Sequence, residues 1–356
     1  MSPETIAAGL RQQGVWCADF GSPFTAFLCA ALADDYEQGG IVAGLLAGWS
    51  TNPIKDALAL RLAGALHFIA LSEPDGDLAA VWPQADVTTR FEAAWACALI
   101  YLHNRADWVR EFIKSPPQTN EVRRSVALFP GLCTAAAGFD GPIDVLELGA
   151  SAGLNLSLDQ FCYQTARWSY GVASPDAVMI DTDWSGSPPD VTNGLTIRTR
   201  AACDQNPLSA ANPDHAKLLT AYVWPDQPAR LARLAAAIKL TRANGIVPDK
   251  ADAAVWLDQK LASRADNAMT IVYHSIFLIY PDDTTRQKIT EEMETAGAQA
   301  TPQAPLCWLR FEWPGVLGLP ADDPALSALE LIQWPGGKRT LLAKVDPHGR
   351  TVRWLV

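Results

Sequence analysis

The stretch whose reading decides the fold is Asp144-Val145-Leu146-Glu147-Leu148-Gly149-Ala150-Ser151-Ala152-Gly153-Leu154-Asn155-Leu156. A short apolar run ends in an acid, turns through small residues and reopens as a helix. An α/β sheet presents a small ligand in this way. Glycine, lacking Cβ, lets the backbone approach the ligand closely. A helix starting near Gly153 offers unpaired N–H groups to an anion or carboxylate.

Downstream, strand and helix patterns alternate. Residues 195–203 are apolar and β-branched and end at Asp204, as a second strand would. The Trp/Tyr/Pro-rich residues 163–194 between them read as an inserted hairpin or loop. Residues 217–224 are expected as a third strand, with Pro225-Asp226 opening a helix over 229–240. Residues 268–279 form a strongly apolar strand pattern, and 282–296 an amphipathic helix after it. Residues 305–311 and 340–346 complete the strands, and 351–355 are expected at an edge. Such alternation, closed by a β-meander, means a mostly parallel sheet with antiparallel final strands.

Upstream, residues 1–137 read as helical. Ser2-Pro3 and Ser22-Pro23 pair a capping serine with a proline suited to the first turn. Leu58, Leu62, Ala65, Leu66 and Ile69 share one side of a helix over 56–71. A longer helix over 90–114 is stopped by Pro116-Pro117. The expected division is an all-helical domain, 1–137, and an α/β domain, 138–356.

The 356 residues are 49% apolar and 19% charged, enough to bury a large core. Thirty-nine acids against 28 bases give a net charge of −11, and no Lys/Arg stripe supports nucleic-acid or anionic-membrane binding. The seven scattered cysteines include no Cys-x-x-Cys pair and read as reduced thiols of a cytoplasmic protein. No basic-then-apolar leader opens the chain, and apolar runs such as 93–102 are too short for a bilayer. The five histidines are dispersed, so no metal is expected.

The central loop supports two chemistries. Glu147-x-Gly149-x-Ser151-x-Gly153 resembles the first motif of class I S-adenosylmethionine-dependent methyltransferases, with Ser151 in place of the middle glycine. That resemblance implies a Rossmann-like sheet, a loop cradling the methionine part of S-adenosylmethionine, and an acid after the second strand on the ribose. Asp204 stands in that position, further from Glu147 than is usual. Alternatively, Gly149-x-Ser151-x-Gly153 is a nucleophile elbow, with Ser151, Asp226 and His274 in the order of a hydrolase triad. Chain order disfavours this: an elbow normally follows several strands, and His274 lies inside a strand pattern rather than a late loop.

Three further segments carry candidates. Gln118, Asn120 and Arg123 lie in a polar run that is either a helix start capped by Thr119 or a loop facing the cleft. Arg123 could grip a carboxylate or phosphate. Trp224 could stack on a planar substrate, and Asp226 could accept a proton or cap a helix. His274 is either a satisfied core histidine or a catalytic base. Asn155 sits on the first turn after the loop.

Taken together, residues 118–125, 146–156 and 223–227 resemble an uncharacterised bacterial family, domain of unknown function 2332, over nearly the whole chain. The family brings no established activity. The expectation is therefore a methyltransferase-like, Rossmann-like α/β protein with an N-terminal all-helical domain, acting on a small molecule. Glu147, Gly149, Ser151, Gly153, Asn155 and Asp204 would hold S-adenosylmethionine. Gln118, Asn120, Arg123 and Trp224 would face the substrate, with Asp226 and His274 catalytic. A serine hydrolase using Ser151, or a non-catalytic module binding a nucleotide-like ligand, are the alternatives.

Overall fold

The computed structural model describes residues 3–83, 90–320 and 323–356; the expected Ser2 cap lies outside them. The chain forms two compact units, Met1–Thr119 with Asn212–Ala235, and Asn120–Ala211 with Ala236–Val356. The expected division is at 137/138; these units part at 119/120, and a later segment belongs to the first.

Among the described residues the first unit is helical. It contains α1 (Pro3–Asp19), α2 (Pro23–Glu37), α3 (Ile41–Leu45), α4 (Leu58–Ser72), α5 (Asp77–Val81), α6 (Phe91–Asn104) and α7 (Ala106–Phe112). All five apolar residues expected on one side of α4 are buried, in a core with Leu10, Leu28, Leu32 and Leu102. The pattern over 90–114 divides into α6 and α7 at Arg105, which leaves helical geometry at φ −122°. The segment expected as a third strand is instead a helix. After α8 (Ser125–Ala136) of the second unit comes α9 (Pro213–Ala221), where Asn212 Oδ1 accepts from Asp214 N at 2.9 Å and Pro213 follows it. This capping signature outweighs the β-branched and aromatic content of residues 217–224. The chain then enters α10 (Pro228–Ala243), which crosses the boundary between the units.

The second unit is an α/β structure built on one large sheet. Its strands are β1 (Ile143–Leu148), β2 (Cys162–Thr165), β3 (Ser169–Tyr170), β4 (Met179–Ser185), β5 (Ile197–Asp204), β6 (Asp249–Lys250), β7 (Met269–Ser275), β8 (Leu306–Glu312), β9 (Ser327–Trp334), β10 (Lys338–Val345) and β11 (Thr351–Trp354). Their order is β3-β2-β4-β11-β10-β9-β8-β7-β1-β5-β6. From β6 to β8 every pairing is parallel, and β8 to β11 form the antiparallel meander. Strand β9, whose side chains are almost all buried, has no expectation in the sequence. The continuous burial hides the alternation that marks a half-exposed strand.

The insertion at 163–194 holds a hairpin, one of the two expected forms, and a further strand. Strands β2 and β3 pair as a short antiparallel ribbon, and β4 adds itself parallel to β11. Strand β11 therefore has a neighbour on each side and is not an edge. Helix α8 packs on one face of the sheet, where Leu309 comes so close that Gly131 leaves no room for a Cβ. On the other face α11 (Ala253–Ala262) and α12 (Asp283–Ala298) bury Trp256, Leu257, Ile289 and Met293 against Leu146, Leu148, Val272 and Trp308. Among the described residues no helix is long and apolar enough to cross a membrane.

Candidate functional site

The carboxyl end of β1 turns through three residues of positive φ: Gly149 at 67°, Ser151 at 54° and Gly153 at 70°. Left-handed geometry is inexpensive for glycine and costly for serine, so Ser151 is held in place by its surroundings. Its N–H donates to Asp204 Oδ2 at 2.8 Å, and Asp204 Oδ1 accepts from Asn206 N at the same distance. Asp204 is the last residue of β5, the strand beside β1. The loop after β1 and the acid that ends β5 are therefore joined directly.

Gly153 leads into a short 3-10 turn, Leu154–Gln160, with a kink at Ser157, rather than into an α-helix. The expected anion-binding helix start is not formed. The N–H of Leu154 is taken by Asn120 Oδ1 at 2.9 Å, and Gly153 N bonds to Ala150 O at 2.8 Å. Asn155 donates to Glu121 O at 3.4 Å, and its buried Oδ1 has no hydrogen-bond partner among the described residues. Glu121, not Thr119, caps the turn at residues 122–124 by accepting from Arg123 N. Arg123 does grip a carboxylate, that of Asp181 on β4 at 2.9 Å, while its Nε donates to Asp181 O.

Glu147 is buried beneath this loop, opposite Tyr273 on β7 and Ala202 on β5. Burial, with Oε2 lacking a donor, raises its carboxyl from 4.5 to about 8. The Tyr273 hydroxyl lies close enough to oppose that shift, though outside hydrogen-bonding geometry, and the charge of Asp204 adds to it. Glu147 is thus a neutral acid at pH 7, not an anionic ligand.

His274 lies on the sheet face opposite Glu147, since side chains alternate along β7. It is fully buried, with Nδ1 2.7 Å from Glu312 Oε1. Glu312 Oε1 also accepts from Phe277 N at 2.7 Å and Leu278 N at 3.0 Å. Ser151 Oγ and His274 Nε2 each lack a partner among the described residues, so they are not bonded to each other. Phe277 lies against Gly149, where a Cβ would come within 2.2 Å of its ring. The glycine here accommodates a side chain of the protein itself.

Gln118, Trp224 and Asp226 belong to the first unit and are not gathered with the loop residues in one compact unit. Trp224 is buried in the helical core, edge-on to Phe20 at 6.3 Å, with the Arg230 guanidinium 5.7 Å from its ring centre. Asp226 caps a helix, though not the one it precedes. Its Oδ2 accepts from Phe24 N at 2.9 Å, and Oδ1 accepts from the Ser22 hydroxyl, at the start of α2. Glu312, Tyr273 and Phe277 were not legible as site residues. Glu312 and Tyr273 sit in strands whose apolar content reads as core, and Phe277 extends such a run.

Among the described residues no three His, Cys, Asp or Glu side chains are grouped to hold a metal. Comparison with known proteins gives a match to one family, described as "Uncharacterized protein conserved in bacteria (DUF2332)", over residues 7–354. No curated protein and no solved structure matches.

Proposed function

We propose, from the premise that the chain belongs to this uncharacterised bacterial family DUF2332, that it is an S-adenosylmethionine-dependent methyltransferase acting on a small molecule. The observation that carries the reading is the bond between Asp204 and the Ser151 N–H at the carboxyl ends of adjacent parallel strands. In open α/β sheets ligands bind outside the carboxyl ends of the strands, where successive connections diverge. Strand β1 has that position: after β2 to β4 at the far edge of the sheet, the chain returns to β5 on one side of β1 and later to β7 on the other. The same order makes the unit Rossmann-like in this reading, with the helical unit, to which residues 212–235 also belong, as an addition.

The residues fit the cofactor best at its ribose end. Each Asp204 oxygen accepts one backbone N–H and keeps a lone pair for a ribose hydroxyl. Gly149, Ser151 and Gly153 shape the loop, and Asn155 and neutral Glu147 support it from within. S-adenosylmethionine supplies an electrophilic methyl group when bound. Alignment of the acceptor with that group is the main task left to the protein. The engagement of Asn120 and Arg123 with Leu154 and Asp181 makes them supports of the loop more than substrate contacts.

A non-catalytic module for a nucleotide-like ligand is the second reading, favoured by the Phe277 ring against Gly149. Isothermal titration with S-adenosylmethionine and S-adenosylhomocysteine tests both. Micromolar binding, weakened by Asp204→Ala, supports the methyltransferase, and turnover over an acceptor panel separates it from the binding module. No binding of either compound removes the methyltransferase. A fluorophosphonate probe then tests Ser151 as a hydrolase nucleophile.

A further inference from the structure

The pair formed by His274 and Glu312 is built more tightly than a core histidine requires. One hydrogen bond satisfies a buried imidazole, whereas here the partner oxygen is itself oriented by two backbone N–H groups, those of Phe277 and Leu278. An oxygen already accepting two N–H bonds is an acceptor toward Nδ1 as well. The imidazole proton therefore sits on Nδ1, and in the neutral ring Nε2 carries a lone pair. That nitrogen has no hydrogen-bond partner among the described residues, and neither does Glu312 Oε2.

The His274 ring is linked to the loop after β1 through Phe277. His274 is the penultimate residue of β7, at the carboxyl end of the strand next to β1. The turn after it begins at Ile276, a β-branched residue at φ 50°, which costs energy and is secured by Glu312. That turn delivers Phe277, whose half-buried ring lies 5.8 Å from the His274 ring at 60° and also covers Gly149. One aromatic side chain thus stands against both the imidazole and the loop after β1. Arg310, opposite His274 on β8, is committed to Glu330.

We infer that His274 and Glu312 form an imidazole–carboxylate dyad in which Nε2 accepts the proton of a hydroxyl or ammonium substrate once Phe277 swings aside. The dyad deepens the methyltransferase reading by naming the acceptor class, and the chemical step rests on that reading. The substrate proton passes to Nε2, and the electron pair it leaves on the heteroatom forms the bond to the methyl carbon. The electron pair of the broken carbon–sulfur bond stays on sulfur, and the imidazolium is held against Glu312. Glu312 is a positioning residue, acting through His274.

Two measurements independent of the cofactor test this. Nitrogen-15 NMR of histidine-labelled protein should give His274 with its proton on Nδ1 and an unprotonated Nε2. A proton on Nε2 overturns the dyad. Glu312→Ala should spread the proton over both nitrogens and Glu312→Gln, which keeps the acceptor oxygen, should restore it. An unchanged tautomer in folded Glu312→Ala removes Glu312 from its role. Diethyl pyrocarbonate followed by mass spectrometry should modify His274 at least tenfold faster in Phe277→Ala than in wild type, with Phe277→Leu as the milder variant. No gain in either folded variant means that Nε2 does not face the site. If S-adenosylhomocysteine fails to bind while tautomer and labelling behave as expected, the methyltransferase reading falls and the dyad stands.

Discussion

Ser151 donates its backbone N–H to Asp204 Oδ2 at 2.8 Å, so a serine in left-handed geometry and an acid 53 residues later are one structural element. The strained turn is secured by the side chain that, in the proposed function, also receives the ribose.

Asp204→Ala removes the acceptor of two backbone N–H groups, those of Ser151 and Asn206. Leaving such donors unpaired costs about 1–3 kcal/mol where they are buried. Thermal unfolding should fall by several degrees together with cofactor affinity. Asp204→Asn, which keeps one acceptor oxygen, should recover part of the stability; equal stability of all three proteins would remove the loop-securing role.

Glu147 makes stability pH-dependent on the alkaline side. Its folded carboxyl titrates at about 8 against 4.5 for the ordinary group. The folded state therefore holds a proton that the unfolded chain has lost across that range. Its contribution is fully present below pH 4.5 and is lost as pH rises through 8. Urea unfolding of wild type and Glu147→Gln at about pH 5 and about pH 8.5 should show a loss of a few kcal/mol specific to wild type. Parallel pH profiles of the two proteins would contradict the buried neutral acid.

His67 acts in the opposite direction. Burial lowers it from 6.5 to about 4, against the pull of its Nδ1 contacts to the carbonyls of Ala221 and Val223. The unfolded chain takes up a proton that the folded one resists, so stability is complete above pH 6.5 and is lost as pH falls through 4. His67→Gln should flatten the decline between pH 6.5 and 4 in a thermal-melt series; an undiminished slope would assign it to other groups.

Asp226 should matter for stability through α2. Asp226→Ala leaves Phe24 N and the Ser22 hydroxyl without their acceptor and should cost about 1–2 kcal/mol in chemical denaturation. Ser22→Ala, which leaves the Phe24 bond intact, should cost less. A neutral Asp226→Ala would leave the residue available for another role.

Local signals carried the parts of the fold that depend on neighbours in the chain. The apolar run 143–148, the glycines after it and the apolar spacing of α4 express dihedral preferences and burial of one face, and each element formed as read. Residues 217–224 misled because their composition suits a strand, while Asn212-Pro213 starts a helix upstream. The segment after Gly153 departs from expectation as a 3-10 turn kinked at Ser157, and its first N–H is already taken by Asn120. Strand β9 escaped notice because burial on both faces erases the period of two.

The sequence by itself determined an α/β sheet, a glycine-bearing loop after its first strand and an acid at the end of β5, since periodicity and backbone preference act over a few residues. Only the tertiary structure decided which groups meet. Glu312 reaches His274 across 38 residues, Asp226 caps α2 across 202, and Phe277 fills the space above Gly149. Those meetings follow from strand order, register and close packing, which no short window of sequence encodes.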